Sequence, residues 1–223
     1  MPKPKSSQTD ELTGLINRVT FQVTFPAKLD RTKEAHAHLS LALLDIDEFL
    51  SVNKNYGHLA GDRVIQGVAV VINEKIGQKG LACRFGGDEF AMLFPGLERE
   101  QAFLILEQIR EGVEAYPFTT DDGKAIPGIR VSGGLASFPV DGRSETELLR
   151  KADQALYRAK LTGRNKIRLA YEEKMVPKTS HFTQTQLERL TKLAEELGTG
   201  EAELLREALD MLLVKYGIND IET

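Results

Sequence analysis

The chain has 223 residues, 41% of them hydrophobic and 28% charged, with a net charge of -4. That length can bury a full core, as one domain or as a domain with a small appendage, and the balance excludes wholesale disorder and argues against a protein that coats nucleic acid. Cys83 is the only cysteine, which excludes an intrachain disulfide and a cysteine-based zinc site and suits a reducing cytoplasm.

Residues 1–8 read as a disordered polar tail. They include Lys3 and Lys5 but no apolar stretch of the kind a secretory signal needs, and nothing ahead of Asp10 reads as a sensory domain. Asp10-Glu11-Leu12-Thr13-Gly14-Leu15-Ile16-Asn17-Arg18 reads as a turn leading into a helix capped by Asn17 and running towards residue 30. Residues 39–44 are a nearly continuous apolar run ending in Asp45-Ile46-Asp47, as expected of a buried central strand with acids at its end. Residues 49–62 read as a glycine-containing loop that opens a helix over 62–76, where Val64, Ile65, Val68, Val71 and Ile72 form one stripe.

Leu81, Ala82 and Cys83 precede Arg84-Phe85-Gly86-Gly87-Asp88-Glu89-Phe90, and Ala91, Met92, Leu93 and Phe94 follow, which predicts a hairpin with two carboxylates at its tip. Helix is expected over 98–113, strand over 129–138, helix over 145–162 with Gly163 at its C-terminus, and a last strand over 166–170. Interleaved helices and strands of this kind give an α+β fold with helices covering a mostly antiparallel sheet. No run reaches the roughly 20 apolar residues that span a bilayer, so no membrane attachment is expected.

Paired glycines let a backbone turn tightly and let a ligand come close, and adjacent acids at such a turn can hold a divalent cation through oxygen. A solvated Gly-Gly hairpin with surface acids is the alternative. Company favours the first: Asp45 on a neighbouring strand would bring three carboxylates to one pocket, and a helix opening after a glycine loop attracts phosphate. Other residues have structural readings. Asp47 is either solvated or caps the next turn, His58 is a hydrogen-bonded structural residue, Arg84 braces the hairpin and Cys83 fills core space.

Residues 9–170 resemble a GGDEF-domain diguanylate cyclase. The motifs that carry the resemblance are 10–18, Asp45-Ile46-Asp47-Glu48-Phe49, Asn53 with Gly57-His58 and Gly61-Asp62, the heptad 84–90, and Ala152-Asp153-Gln154-Ala155-Leu156-Tyr157-Arg158-Ala159-Lys160 with Gly163-Arg164-Asn165. The resemblance implies a nucleotide-cyclase-like (ferredoxin-like) sheet and a cytoplasmic homodimer. Its implied reaction converts two GTP into cyclic di-GMP and two pyrophosphates across a two-fold interface. It implies Mg2+ or Mn2+, two per half-site, held by Asp45, the Ile46 carbonyl, Asp88 and Glu89, with Asp45, Asp88 and Glu89 also catalytic. Asn53 and Asp62 would read guanine, and an ionised Asp there suits GTP and rejects ATP. Phe49, Leu50, Gly86, Gly87, Lys160 and Arg164 would complete the substrate contacts. Two departures stand out: Leu50 occupies a position where the family commonly has a phosphate-binding Lys, and Gly77-Gln78-Lys79-Gly80 lacks the Arg-x-x-Asp of an inhibitory site. Product inhibition through that stretch is therefore not expected.

Composition changes after residue 170. Residues 171–177 read as a polar linker, 178–218 as a distinct unit and 219–223 as a tail. Thr179-Ser180-His181-Phe182-Thr183 alternates, and two helical stripes follow: Leu187, Leu190, Leu193, Ala194 and Leu197, then Ala202, Leu205, Leu209, Leu212, Leu213 and Tyr216. Gly198 is placed as the cap of the first helix and Thr199 as the N-cap of the second. The unit resembles a ribbon-helix-helix domain, in which paired strands read DNA; Thr179, His181 and Thr183 would face outward if Phe182 points inward. From residue 174 onward, however, six Lys and Arg face nine Asp and Glu, and an acidic module is a poor default DNA binder. Dimerisation of the catalytic unit is the favoured role. The alternative is a DNA-binding transcriptional regulator whose GGDEF domain senses nucleotide or is weakly active.

Overall fold

Residue 17 is where the sheet first gives way to helix. Strand β1 (Ile16–Asn17) passes into helix α1 (Arg18–Glu34) at Asn17, whose side chain accepts a hydrogen bond from the Thr20 amide at 2.9 Å, satisfying one of the amides a helix start leaves orphaned. Helix α1 continues past residue 30, with Pro26 inside it, because Phe21, Phe25 and Leu29 bury one continuous stripe. That burial stabilises by about 2 kcal/mol per large side chain, which outweighs an early stop. The computed structural model describes residues 8–170, 179–197 and 199–216, in two units that divide at residues 171 and 172.

Strand β2 (Leu39–Ile46), helices α2 (Phe49–Tyr56) and α3 (His58–Ile76), strands β3 (Leu81–Arg84) and β4 (Glu89–Pro95), helix α4 (Arg99–Ala115), strand β5 (Val131–Phe138), helix α5 (Glu145–Leu161) and strand β6 (Ile167–Leu169) complete the first unit. The six strands lie in the order β1-β3-β4-β2-β5-β6. Its centre is antiparallel, as expected, and its two outer pairings, β1 with β3 and β5 with β6, are parallel. Strand β2 is buried along its whole length, and alternation divides its side chains between two layers. Ala42, Leu44 and Ile46 join the core under α3 and α4, while Leu39, Leu41 and Leu43 join the core under α1 and α5. Asp45 shares the parity of Leu43 and so faces α5.

Two expectations need correction. Residues 49–56, read from sequence as loop, are helix α2, because Phe49, Val52 and Tyr56 keep helical spacing towards the core; the helix is short because Glu48 (φ 55°) and Gly57 (φ 83°) turn the chain at either end. Helix α3 accordingly begins at His58 rather than at residue 62. Cys83 is a buried core residue, and burial pushes its thiol up to about 12.

The second unit contains α6 (Gln184–Leu197) and α7 (Glu201–Lys215). Residues 179–183 form no strand among the described residues, since a lone ribbon has no partner with which to pair its backbone. Helix α7 begins at Glu201, later than a Thr199 cap would start it. The expected linker 171–177, the Gly198 cap and the termini lie outside the described residues.

Candidate active site

The register between β2 and β4 places Asp45 directly opposite Glu89, and the Ile46 amide donates to the Asp88 carbonyl at 3.3 Å. Two of the four expected metal-binding positions, Asp45 and Glu89, are thus paired in one ladder, and the other two, Ile46 and Asp88, are joined just beyond its end. Asp45 is 6% exposed. Desolvation is the main cause that raises its carboxyl to about 6, the charges of Asp88 and Glu89 add to the rise, and the hydrogen bond and charge of Lys160 oppose it. Lys160 Nζ donates to Asp45 Oδ2 at 2.8 Å. Helix α5 therefore delivers its last-turn lysine to the acid at the end of β2.

Around the turn, the Phe85 and Gly86 amides donate to the Glu89 carbonyl at 2.8 and 3.2 Å, and the Arg84 guanidinium donates to the Gly87 carbonyl at 3.1 and 2.9 Å. Arg84 also reaches Asp10 at 3.4 Å, so the brace expected of it extends to the motif that opens the domain. Burial works against ionisation of Asp10, but hydrogen bonds from Thr13 and the Arg84 charge hold its carboxyl below the usual range. A Cβ on Gly86 would lie 2.8 Å from Glu89 Oε2, so the absent side chain there makes room for that carboxylate.

Asp47 is buried and has its own partners. Ser132 Oγ donates to Oδ1 at 2.8 Å and the Asn165 amide donates to Oδ2 at 3.0 Å. It is neither solvated nor a cap of the next turn: it fastens the end of β2 to β5 and to the loop after α5. That loop follows the Thr162 C-cap with Gly163 at φ 103° and Arg164 and Asn165 at positive φ, and Arg164 is exposed. The parity shared by Asp45 and Asp47 was legible in the sequence, whereas Ser132 and Asn165 lie 85 and 118 residues away from Asp47.

Helix packing sets Asn53 of α2 against Gly61 of α3, the residue before Asp62. A Cβ on Gly61 would lie 2.0 Å from Asn53 Oδ1 and 3.1 Å from the Phe49 ring, so a larger residue there would displace the Asn53 side chain from its place against α3. Asp62, the next residue, is exposed. Leu50 is 83% exposed in the first turn of α2, a hydrocarbon in water rather than part of any core. His58 stands exposed at the start of α3. A cavity of about 320 Å3 adjoins α2, lined by Glu48, Asn55, Tyr56, Arg130 and Arg164 among others; of the expected substrate contacts it includes only Arg164.

No three His, Cys, Asp or Glu side chains among the described residues converge closely enough to hold a metal alone. The donors nevertheless suit a hard cation, because the buried Asp45 faces two further acids and has a backbone carbonyl beside it. Magnesium is ordinarily held by one or two carboxylates together with substrate phosphates rather than by a full protein cage. The residues present fit that pattern.

In the second unit the Thr183 hydroxyl accepts from the Gln186 amide at 3.2 Å, and the Thr183 amide donates to Gln186 Oε1 at 2.9 Å. This capping box starts α6 and gives Thr183 a structural task beside the DNA-reading one expected of it. Thr179 and His181 are exposed, and Phe182 is 44% exposed rather than turned inward. No helix among the described residues is long and apolar enough to cross a membrane.

Residues 7–166 match the family described as diguanylate cyclase, GGDEF domain, and residues 174–217 match the ribbon-helix-helix domain. Diguanylate cyclase DgcP of Pseudomonas aeruginosa is 37% identical over 162 residues, covering 73% of this chain and 24% of that protein. Response regulator PleD of Caulobacter vibrioides is 33% identical over 159 residues, covering 71% and 35%. The chain therefore spans about a quarter to a third of the length of these curated relatives. Among solved structures, the GGDEF domain of DgcB from Caulobacter crescentus in complex with c-di-GMP superposes with a TM-score of 0.71 at 33% identity, covering 77% of this chain and 98% of that one.

Proposed function

The chain belongs to the diguanylate cyclase GGDEF-domain family, and from that premise we propose that it condenses two GTP molecules into cyclic di-GMP and two pyrophosphates. The observation that carries this reading is the pairing of Asp45 with Glu89 at the adjoining ends of β2 and β4, with Asp88 one residue away. In each half of the reaction a ribose 3'-oxygen forms a bond to the α-phosphorus of the other nucleotide, the bond from that phosphorus to pyrophosphate breaks, and the hydroxyl proton leaves. Asp45, the Ile46 carbonyl, Asp88 and Glu89 would hold Mg2+ or Mn2+, two per half-site. Such cations make the hydroxyl a stronger nucleophile and neutralise charge on the departing pyrophosphate.

The chain's own groups do the rest. Asn53 and Asp62 accept and donate at the guanine edge, and an adenine would leave the Asp62 carboxylate facing an acceptor. The Gly86-Gly87 turn lets the main chain come close to the nucleotide. Lys160 and Arg164 supply positive charge for the phosphates, while Phe49 and Leu50 contribute backbone amides at the start of α2. Asp88 helps to take the hydroxyl proton. Residues 9–170 form the catalytic domain, residues 171–177 a linker and residues 178–218 a two-fold dimerising unit that keeps two such domains together. The exposed leucines of α6 and α7, together with the acidic charge of this segment, favour dimerisation over DNA reading.

Purified protein incubated with GTP and Mg2+ is expected to yield cyclic di-GMP, identified by mass, with ATP giving no cyclic product. Asp88→Ala is expected to lower turnover by about a hundredfold or more. Formation of no cyclic dinucleotide by the parent protein, or equal product from Asp88→Ala, rejects the reading.

A further inference from the structure

Lys160 holds a position that a phosphate-binding lysine does not require. Its ammonium lies 2.8 Å from Asp45 Oδ2, the most deeply buried acid of the proposed metal site; the Asp45 side chain is 9% exposed and that of Lys160 36%. The lysine is therefore reachable from solvent while its head covers the acid. We propose that Lys160 is a resident counter-cation that occupies Asp45 until nucleotide phosphate draws it away, so that divalent cation and nucleotide bind together and neither binds well alone. The inference rests on the reading of Asp45 as a metal ligand.

Three observations support it. A cation ligated by Asp45 would sit within a few ångströms of the ammonium and repel it, so both cannot use that carboxylate at once. No three acidic, histidine or cysteine side chains among the described residues close on a metal, so water or, better, phosphate oxygens complete its shell. Finally, Lys160 lies in the last turn of α5, just ahead of the loop that carries Arg164. A four-carbon stem there can swing from carboxylate to phosphate without moving the helix. Phosphate thus does two things at once: it removes the competing cation and supplies the missing ligands. By linkage, the factor by which nucleotide tightens metal binding equals the factor by which metal tightens nucleotide binding.

The test is Mn2+ titration into the nucleotide-free full chain, with free Mn2+ followed by electron paramagnetic resonance and folding checked by circular dichroism. Lys160→Met is expected to bind Mn2+ roughly tenfold more tightly than the parent, and Lys160→Arg, which keeps the charge, to bind as the parent does. A non-hydrolysable GTP analogue is expected to tighten Mn2+ binding roughly tenfold more in the parent than in Lys160→Met, where only the ligands supplied by phosphate remain to tighten it. Asp45→Asn reports on the underlying reading and is expected to weaken Mn2+ binding with or without the analogue. If Lys160→Met binds Mn2+ no more tightly than the parent while Asp45→Asn weakens it, the role given to Lys160 is overturned and the metal site stands. If Asp45→Asn binds as the parent does, both fall together.

Discussion

Asp45 is the residue on which fold and site make opposite demands. Its place on β2, between layers of buried leucines, strips water from a carboxylate whose cross-strand neighbour Glu89 is also acidic, and like charges directly opposite one another weaken a ladder. The folded chain therefore favours the protonated form, with the carboxyl raised from 3.8 to about 6. The stabilising contribution of that form is fully present below about pH 4 and lost as pH rises through about 6. Asp45→Asn, measured by urea unfolding without divalent metal, is expected to match the parent near pH 4 and to exceed it at pH 7 by on the order of 3 kcal/mol. Equal stability at pH 7 would show that Lys160 compensates the buried charge in full. Asp47, two residues on, meets the opposite fate: its oxygens are taken up by Ser132 and Asn165, and it serves as a clamp.

At the scale of elements, α5 joins the core to the site. A capping box fixes its start: Ser144 Oγ accepts from the Glu147 amide at 3.2 Å and the Ser144 amide donates to Glu147 Oε2 at 3.1 Å. Leu148, Ala152, Ala155, Leu156 and Ala159 bury its inner face, and the small residues among them allow a close approach to β5. A Cβ on Gly134 would lie 2.0 Å from the Ala152 carbonyl oxygen and 2.3 Å from the Leu156 amide, both backbone. Gly134→Ala is therefore expected to force α5 off the sheet and lower stability by about 3 kcal/mol or more, read from the denaturant midpoint. Metal-free Asp45 should lose its lysine partner with it. An unchanged midpoint would mean that β5 yields instead. Helix α2 carries a different lesson: eight residues bounded by a left-handed Glu48 and Gly57 look like loop in sequence, because two turns offer too few periods to outweigh the breakers around them.

Over the whole molecule, the two units differ in how completely each buries its apolar residues. The first has a core on both faces of its sheet, whereas in the second Ala194 is the one buried hydrophobic among the described residues, and Leu187, Leu193, Leu197, Leu205, Leu209 and Leu212 remain exposed. Two short helices cannot enclose a core, and a second copy is the economical partner. Tethering by a short linker would raise the effective concentration of the attached domains to the millimolar range. Removal of residues 175–223 is therefore expected to make specific activity rise steeply with protein concentration, while the full chain stays nearly constant down to low micromolar enzyme. Identical dilution curves for the two forms would remove the dimerising role.

The sequence alone determined the helix and strand types of all but α2 and β1, the carboxylate hairpin, and the family, because these rest on local periodicity, glycine turns and motifs carried in order along the chain. Tertiary structure decided what each acid does. Asp45 and Asp47 share a strand, a parity and a charge, yet one meets Lys160 and Glu89 while the other meets Ser132 and Asn165. Glu89 and Ser132 flank Asp45 and Asp47 because the strands are ordered β4-β2-β5, Lys160 and Asn165 come from α5 and the loop after it, and pairings between distant segments leave no local trace in sequence.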